Sequence, residues 1–211
     1  MQFALIGATG DTGRTTLGIA LEHGHTVHVV ARNPADLDGW RDRARVWKGD
    51  VRSVAVLTEA FEGCAAVVSC VGVSSPLKAR QGTDVYSAGT RCIVEAMRTA
   101  GVTRLIVVSS AGVAPRKGAP LIYKLVVKPF FLEPAYSDMR NMETFLQTTD
   151  LDWTSVRPPL LTGGPLKPDY RLQADRNFDD DRPLSRASLA HFLVAEVETP
   201  RFARRVVAIS A

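Results

Sequence analysis

The sequence predicts a doubly wound α/β domain, a parallel sheet with helices on both faces in three layers. Three observations carry this. Strand-like and helix-like segments alternate along the whole chain. The run AAVVSCVG (65–72) is apolar throughout, as a central strand buried on both faces must be. The first strand breaks into a loop with glycines three apart, Gly7, Gly10 and Gly13, and a helix resumes from it.

Each element follows in order. FALIG (3–7) is strand one, and TGRTTLGIALEHG (12–24) is a helix with Leu17, Ala20 and Leu21 at helical spacing. TVHVVAR (26–32) alternates as strand two, and ARVWKGD (44–50) is strand three. SVAVLTEAFEG (53–63) is a short helix ending at Gly63, ahead of the central strand four. GTRCIVEAMRTAG (89–101) is a helix with Gly101 at its stop. TRLIVVSSAG (103–112) is strand five, YSDMRNMETFLQTT (136–149) a helix, and LDWTSVRP (151–158) strand six, stopped by Pro158. SRASLAHFLVAEVET (185–199) is a late helix and RRVVAIS (204–210) the last strand.

Two segments break this rhythm: 113–135, apolar and aromatic, and 159–184, rich in Pro, Gly and Asp. Both follow strands at their C-terminal ends, the edge where open parallel sheets bind ligands. Long loops there are more often functional than idle. Within the first, LIYKLVVKPFFL (121–132) reads either as a lid over an aromatic substrate or as a helix packed on the core edge or a dimer contact.

A chain of 211 residues suits one domain, 1–211, with a large core. Its net charge of +4 favours anionic ligands in general. It lacks the clustered Lys/Arg with interleaved aromatics of a nucleic-acid binder, and no apolar stretch reaches the length of a membrane span. The three cysteines, Cys64, Cys70 and Cys92, form no CxxC pair. They point to a reducing, cytoplasmic compartment, and the opening MQFALIGATG has no basic leader.

The loop GATGDTG follows a strand and opens a helix, the setting of a dinucleotide site. Gly7 permits the turn, Gly10 lets backbone approach a pyrophosphate, and Gly13 allows close packing of helix on strand. The helix start aims its N–H groups at the anion, and Thr9 and Thr12 add hydroxyl donors. No GK[ST] follows, so a P-loop is excluded. An acid at the end of strand two would favour NAD, but VVARNP places Arg32 there. A guanidinium suits a 2′-phosphate, with Arg14 able to help, so NADP(H) is the expected cofactor; the alternative is a solvated strand-end arginine. In KGDV (48–51), Asp50 can accept from the adenine amino group while Val51 packs on its ring, unless Asp50 caps the next helix.

GATGDTGRTTL, the VAR ending of strand two, GDV, VVSSAG and LDWTSVRPP together resemble the atypical short-chain dehydrogenase/reductases. More narrowly, the chain resembles the small NAD(P)H-binding proteins related to biliverdin reductase B, also called flavin reductase. The resemblance covers nearly the whole chain. It implies a single Rossmann domain with pyrophosphate over Gly10, Asp11, Thr12 and Gly13, and the 2′-phosphate near Arg32. Val71 and Gly72 would line the cofactor's path, and Ser109, Ser110, Pro159, Leu160 and Leu161 would flank the nicotinamide. Two histidines near the substrate site of biliverdin reductase B fall on Met139 and Leu160 here, which speaks against a bilin acceptor.

Ser110, where strand five ends, can hydrogen-bond a carboxamide or a substrate oxygen, with a backbone-bonded serine as the alternative. Tyr136 and Arg140 sit four apart on a helix and match the spacing of the family's Tyr-x-x-x-Lys, in which a cation helps a phenol act as acid. The same pair reads equally as a surface tyrosine beside an i+4 arginine. Ser110, Tyr136 and Arg140 are the candidate catalytic residues. No metal site is expected: His23, His25 and His28 lie close in sequence, but no neighbouring carboxylate or cysteine completes a cluster. Asp179, Asp180 and Asp181 read as a solvated turn. The expected activity is hydride transfer from NADPH to a planar aromatic acceptor such as a flavin, a quinone or a related carbonyl compound. The alternative is a non-catalytic NADP(H) sensor. A sugar-nucleotide epimerase would need a larger substrate domain. The expected partner is a small-molecule substrate, with no nucleic acid or membrane, and the chain is expected as a monomer or weak homodimer.

Overall fold

The structure, a computed structural model, describes residues 1–40, 42–73, 83–114 and 132–211. The segment 121–132, read as a lid, a core-edge helix or a dimer contact, lies outside the described residues except for Leu132. The strands are β1 (Gln2–Ile6), β2 (Thr26–Ala31), β3 (Ala44–Lys48), β4 (Ala66–Ser69), β5 (Arg104–Val108), β6 (Asp152–Arg157), β7 (Leu161–Thr162), β8 (Arg171–Ala174), β9 (Leu184–Ser185) and β10 (Arg205–Ser210). The described helices are α1 (Asp11–Glu22), α2 (Val54–Phe61), α3 (Ser87–Ala100), α4 (Glu133–Gln147) and α5 (Arg186–Glu198). Short 3-10 turns cover Pro34–Trp40 and Ala111–Val113.

The sheet has eight strands in the order β3-β2-β1-β4-β5-β6-β10-β8. Every pairing is parallel except β8 against β10. This is the expected doubly wound Rossmann architecture. The chain winds outward through β2 and β3 on one side of β1, then crosses to β4 on the other, so strand order reverses between β1 and β4. Ligands bind at such a switch point, beyond the C-terminal strand ends.

Alternation along β1 explains the two core layers. Ala4 and Ile6 face Phe61, Ile93, Met97 and Met142 from α2, α3 and α4. Phe3 and Leu5 face Leu17, Phe192 and Leu193 from α1 and α5. All four of these β1 residues are buried, which is why the first strand shows no polar face.

Three boundaries differ from the sequence expectation. Helix α3 begins at Ser87 rather than 89, because the Asp138 carboxylate accepts from the N–H groups of Tyr86 (2.9 Å) and Ser87 (3.3 Å). That cap comes from α4, so no local pattern announces it. Helix α4 begins at Glu133 rather than 136, with Pro134 in its first turn, where a missing N–H costs nothing. The segment 159–184 holds β7, β8 and β9, and β8 closes one edge of the sheet antiparallel.

Candidate cofactor cleft and reacting centre

A cleft of about 660 Å³ opens at the β1/β4 switch point. Gly7, Thr9, Gly10, Asp11, Thr12 and Gly13 form its floor at the start of α1. Arg32, Asp50 and Val51 line its β2/β3 side, and Val71, Gly72 and Leu161 its β4 side. These residues are far apart in sequence and meet because each follows the C-terminal end of a parallel strand.

The loop glycines have different physical grounds. Gly7 has φ +84°, and a Cβ there would lie 2.6 Å from the Cys70 carbonyl oxygen. A Cβ on Gly13 would lie 2.2 Å from the Gly7 carbonyl oxygen, so helix and strand close only around a glycine. Gly10 differs: its nearest neighbour to a Cβ is 3.6 Å away. The fold itself tolerates a side chain at Gly10, and what a Cβ would fill there is cleft. Gly10 is also the N-cap of α1 and supplies no side-chain cap. The first-turn N–H groups, which lack intrahelical acceptors, are therefore offered to a ligand. An uncapped helix start over an open glycine fits a pyrophosphate.

Electrostatics at that end combine two residues. Asp11 lies in the first turn of α1, and its carboxylate is 3.6 Å from the Arg186 guanidinium, which also lines the cleft. Arg186 offsets an acid that would otherwise repel a phosphate. Sequence reasoning missed it, because Arg186 opens the last helix and reaches the loop only through the packing of α5 beside α1. Cys70 lines the same wall; burial pushes its thiol up to about 12, so it stays neutral beside an anion.

At the other end, the Arg32 side chain is 84% exposed and its Nε lies 3.9 Å from the Asp50 carboxylate. At that separation and exposure the pair is weak and leaves the guanidinium able to take another anion. Arg14 donates to the Asp36 carbonyl (3.3 Å) and braces the turn after β2. Asp50 accepts from the Arg52 N–H (3.1 Å), while its own N–H donates to Ser53 Oγ (3.3 Å). One Asp50 carboxylate oxygen thus serves the turn before α2. Val51 is buried, with its methyls 3.1–3.2 Å from where a Gly89 Cβ would be.

Ser109, Ser110, Tyr136, Arg140, Pro159 and Leu160 do not line this cleft. Ser109 is 4% exposed, and its hydroxyl has no partner among the described residues. Leu160 is 68% exposed. Ser110, Tyr136 and Arg140 do meet, around the turn Ala111–Val113. Ser110 Oγ accepts from the Gly112 N–H (3.2 Å) and caps that turn. The Tyr136 ring crosses Gly112, where a Cβ would lie 2.5 Å from the phenol oxygen. Arg140 donates to the Val113 carbonyl (3.2 Å) and pairs with the Glu133 carboxylate. The cation is thereby compensated by an acid on its own helix.

A second network positions this turn, and no spacing in the sequence indicates it. The Ala111 N–H donates to the Pro158 carbonyl (2.8 Å), and the Ala111 carbonyl accepts from the Asn177 amide (2.7 Å). Asn177 accepts in turn from Arg157 (3.4 Å), which is paired with the buried Glu143. Glu143 also accepts from Ser155 Oγ (2.8 Å). The chain ends of β5 and β6 are held together by this line of polar contacts.

Residues 7–200 match the family of NAD(P)H-binding proteins, and the chain belongs to that family. A nicotinamide cofactor is the ligand class of that family. The oxidoreductase aflX of Aspergillus parasiticus is 26% identical over 169 residues, 74% of this chain and 62% of that protein, so the chain spans less than two thirds of that relative. YwnB of Bacillus subtilis, uncharacterised, is 26% identical over 95% of this chain and 93% of its own. Among solved structures, an exported protein of Burkholderia pseudomallei superposes with TM-score 0.79 at 26% identity over 100% of both chains. ChuY, an anaerobillin reductase of Escherichia coli O157:H7, superposes with TM-score 0.77 at 21% identity, over 100% of this chain and 97% of its own, a likeness of fold alone. No helix among the described residues is long and apolar enough to cross a membrane.

Proposed function

We propose that the chain is an NADPH-dependent reductase of planar aromatic acceptors such as flavins, quinones or related carbonyl compounds. One observation carries the choice of NADPH. The cleft runs from an uncapped helix start to an exposed guanidinium, Arg32, at the end of β2, where an acid would favour NAD. The family and the relatives named as an oxidoreductase and a reductase support oxidoreductase chemistry.

When bound, the cofactor supplies a hydride. The chain's residues supply the rest. Gly10 to Gly13 and Arg186 hold the pyrophosphate, and Arg32 the 2′-phosphate. Asp50 and Val51 take the adenine, and Val71, Gly72 and Leu161 line the path toward the nicotinamide. Ser109, Pro159 and Leu160 flank that ring by family resemblance. Ser110 uses its oxygen to accept from Gly112, so its own hydrogen is directed elsewhere and is suited to a carbonyl oxygen of substrate or carboxamide. Tyr136, beside it, is the protein's proton donor; a quinone or flavin in reach of water does not need one.

A second reading, a non-catalytic NADP(H) sensor, draws on Arg140, whose charge is engaged by Glu133 rather than reserved for Tyr136. The test is loss of reduced-nicotinamide absorbance on mixing the protein with NADPH or NADH and FMN, quinones, biliverdin or small carbonyls. The expected result is faster consumption of NADPH than NADH with at least one ring acceptor. Tight NADPH binding without turnover of any acceptor would leave the sensor.

A further inference from the structure

The edge of the sheet opposite the cleft carries a cluster with no part in the chemistry above. Helix α1 ends on His23, Gly24 turns the chain at φ +78°, and His25 leads into β2. The two imidazoles bracket Glu198, the last residue of α5. His23 Nδ1 lies 2.9 Å and His25 Nε2 2.8 Å from the same Glu198 oxygen. The three ligand atoms all lie within 4.8 Å of one another. This corrects the expectation that no carboxylate completes a histidine cluster: Glu198 is remote in sequence and arrives through the pairing of α1 with α5. His28 stays apart, bonded to the Ala60 carbonyl (2.7 Å) and packed on Trp47.

We propose that His23, His25 and Glu198 form a binding site for a divalent zinc-class ion, which fastens the α1–β2 turn to the end of α5. Three arguments converge. Two imidazoles and one carboxylate are a borderline N/O donor set that suits zinc. Ligand atoms around a tetrahedral zinc, with bonds of about 2.0–2.1 Å, lie about 3.3–3.4 Å apart. The two histidine–carboxylate separations, 2.9 and 2.8 Å, reach that distance with a slight opening once an ion replaces the shared protons, and the two imidazole nitrogens lie within 4.8 Å of each other. His25 is already oriented: its side chain is 6% exposed and its ring meets Phe3 edge-on. Such support raises affinity by fixing the ring before the ion arrives.

The field favours a cation as well. Both α1 and α5 run from the cleft edge to this edge, so the negative ends of two helix dipoles converge on the cluster. Neither helix has a basic residue in its last turn, where one would ordinarily offset that potential. His23 and Glu198 are 41% and 34% exposed, which leaves a fourth position for water.

The experiment is a titration of untagged, chelator-treated protein with zinc chloride, read by calorimetry and by melting temperature, in the wild type, His23→Ala and Glu198→Gln. The wild type should bind one equivalent and melt higher with zinc. Each variant should lose about tenfold or more in zinc affinity, with NADPH affinity unchanged. No zinc binding, or equal affinity in all three proteins, overturns the proposal. Should a variant melt early without metal, X-ray absorption of the zinc-loaded wild type decides: a nitrogen and oxygen shell with two imidazoles supports the site, and a sulfur shell overturns it.

Discussion

Arg32 and Arg186 bring positive charge into one cleft from opposite ends of the chain, and they should fail differently. Charge-assisted hydrogen bonds contribute about 1.5–3 kcal/mol, or roughly one to two powers of ten in affinity. Arg32→Asp should weaken NADPH binding by about 10–100-fold and leave NADH nearly unchanged, because only the former has a 2′-phosphate. Arg186→Ala should weaken both by about tenfold, since both carry the pyrophosphate and Asp11 would lose its counter-charge. Fluorescence titration of the reduced cofactors measures each; unchanged NADPH affinity in Arg32→Asp would refute the 2′-phosphate assignment. The contrast also shows what a sequence makes legible. Arg32 ends a strand at a known distance from a glycine loop, so its place is readable. Arg186 and Glu198 act through helix packing, which brings residues from the far end of the chain to the start, and no spacing encodes that.

At the scale of elements, the strands and helices were legible because each has its own period and its own stop signal. Gly101 ends α3 at φ +73°, as its position predicts. The misplaced helix starts are those whose caps or prolines lie outside the apolar repeat: Asp138 for α3, Pro134 for α4. The turn Ala111–Val113 was legible only as the end of a strand. Its shape depends on Gly112, over which the Tyr136 ring lies so closely that a Cβ would be 2.2 Å from Cζ. Gly112→Ala should therefore displace Tyr136 or the turn, costing about 1–3 kcal/mol of stability by overpacking. Reductase turnover should fall sharply while NADPH affinity changes little, because the glycine loop is a separate element. Urea unfolding and steady-state kinetics on the same preparation separate the two effects.

Across the whole molecule, the two edges of the sheet have different work. The C-terminal edge holds the cleft, with glycines and an uncapped helix. The N-terminal edge holds the Arg104–Glu196 pair, with side chains 8% and 0% exposed and nitrogen and oxygen 2.8 Å apart. Burial pulls the Arg104 guanidinium below its usual range, and Glu196 beside it pushes back. Glu196 also accepts from the N–H groups of Arg201 and Phe202, both at 2.9 Å. Glu196→Gln would leave a buried cation without its counter-charge, at a cost of about 3–5 kcal/mol. The urea midpoint should fall accordingly, with the NADPH dissociation constant unchanged.

The strand order also bears on how the protein behaves in a crowded solution. An eight-stranded open sheet has two outer strands, β3 and β8, and each has a row of backbone groups that a second chain could pair with. Here β3 carries Arg45 and Lys48, whereas Arg171 on β8 is paired with Asp180 and lies over the Phe178 ring. Like charges approach like charges wherever two copies align their β3 strands, so pairing through that edge is opposed, while at β8 the Arg171 side chain is already engaged by its own chain.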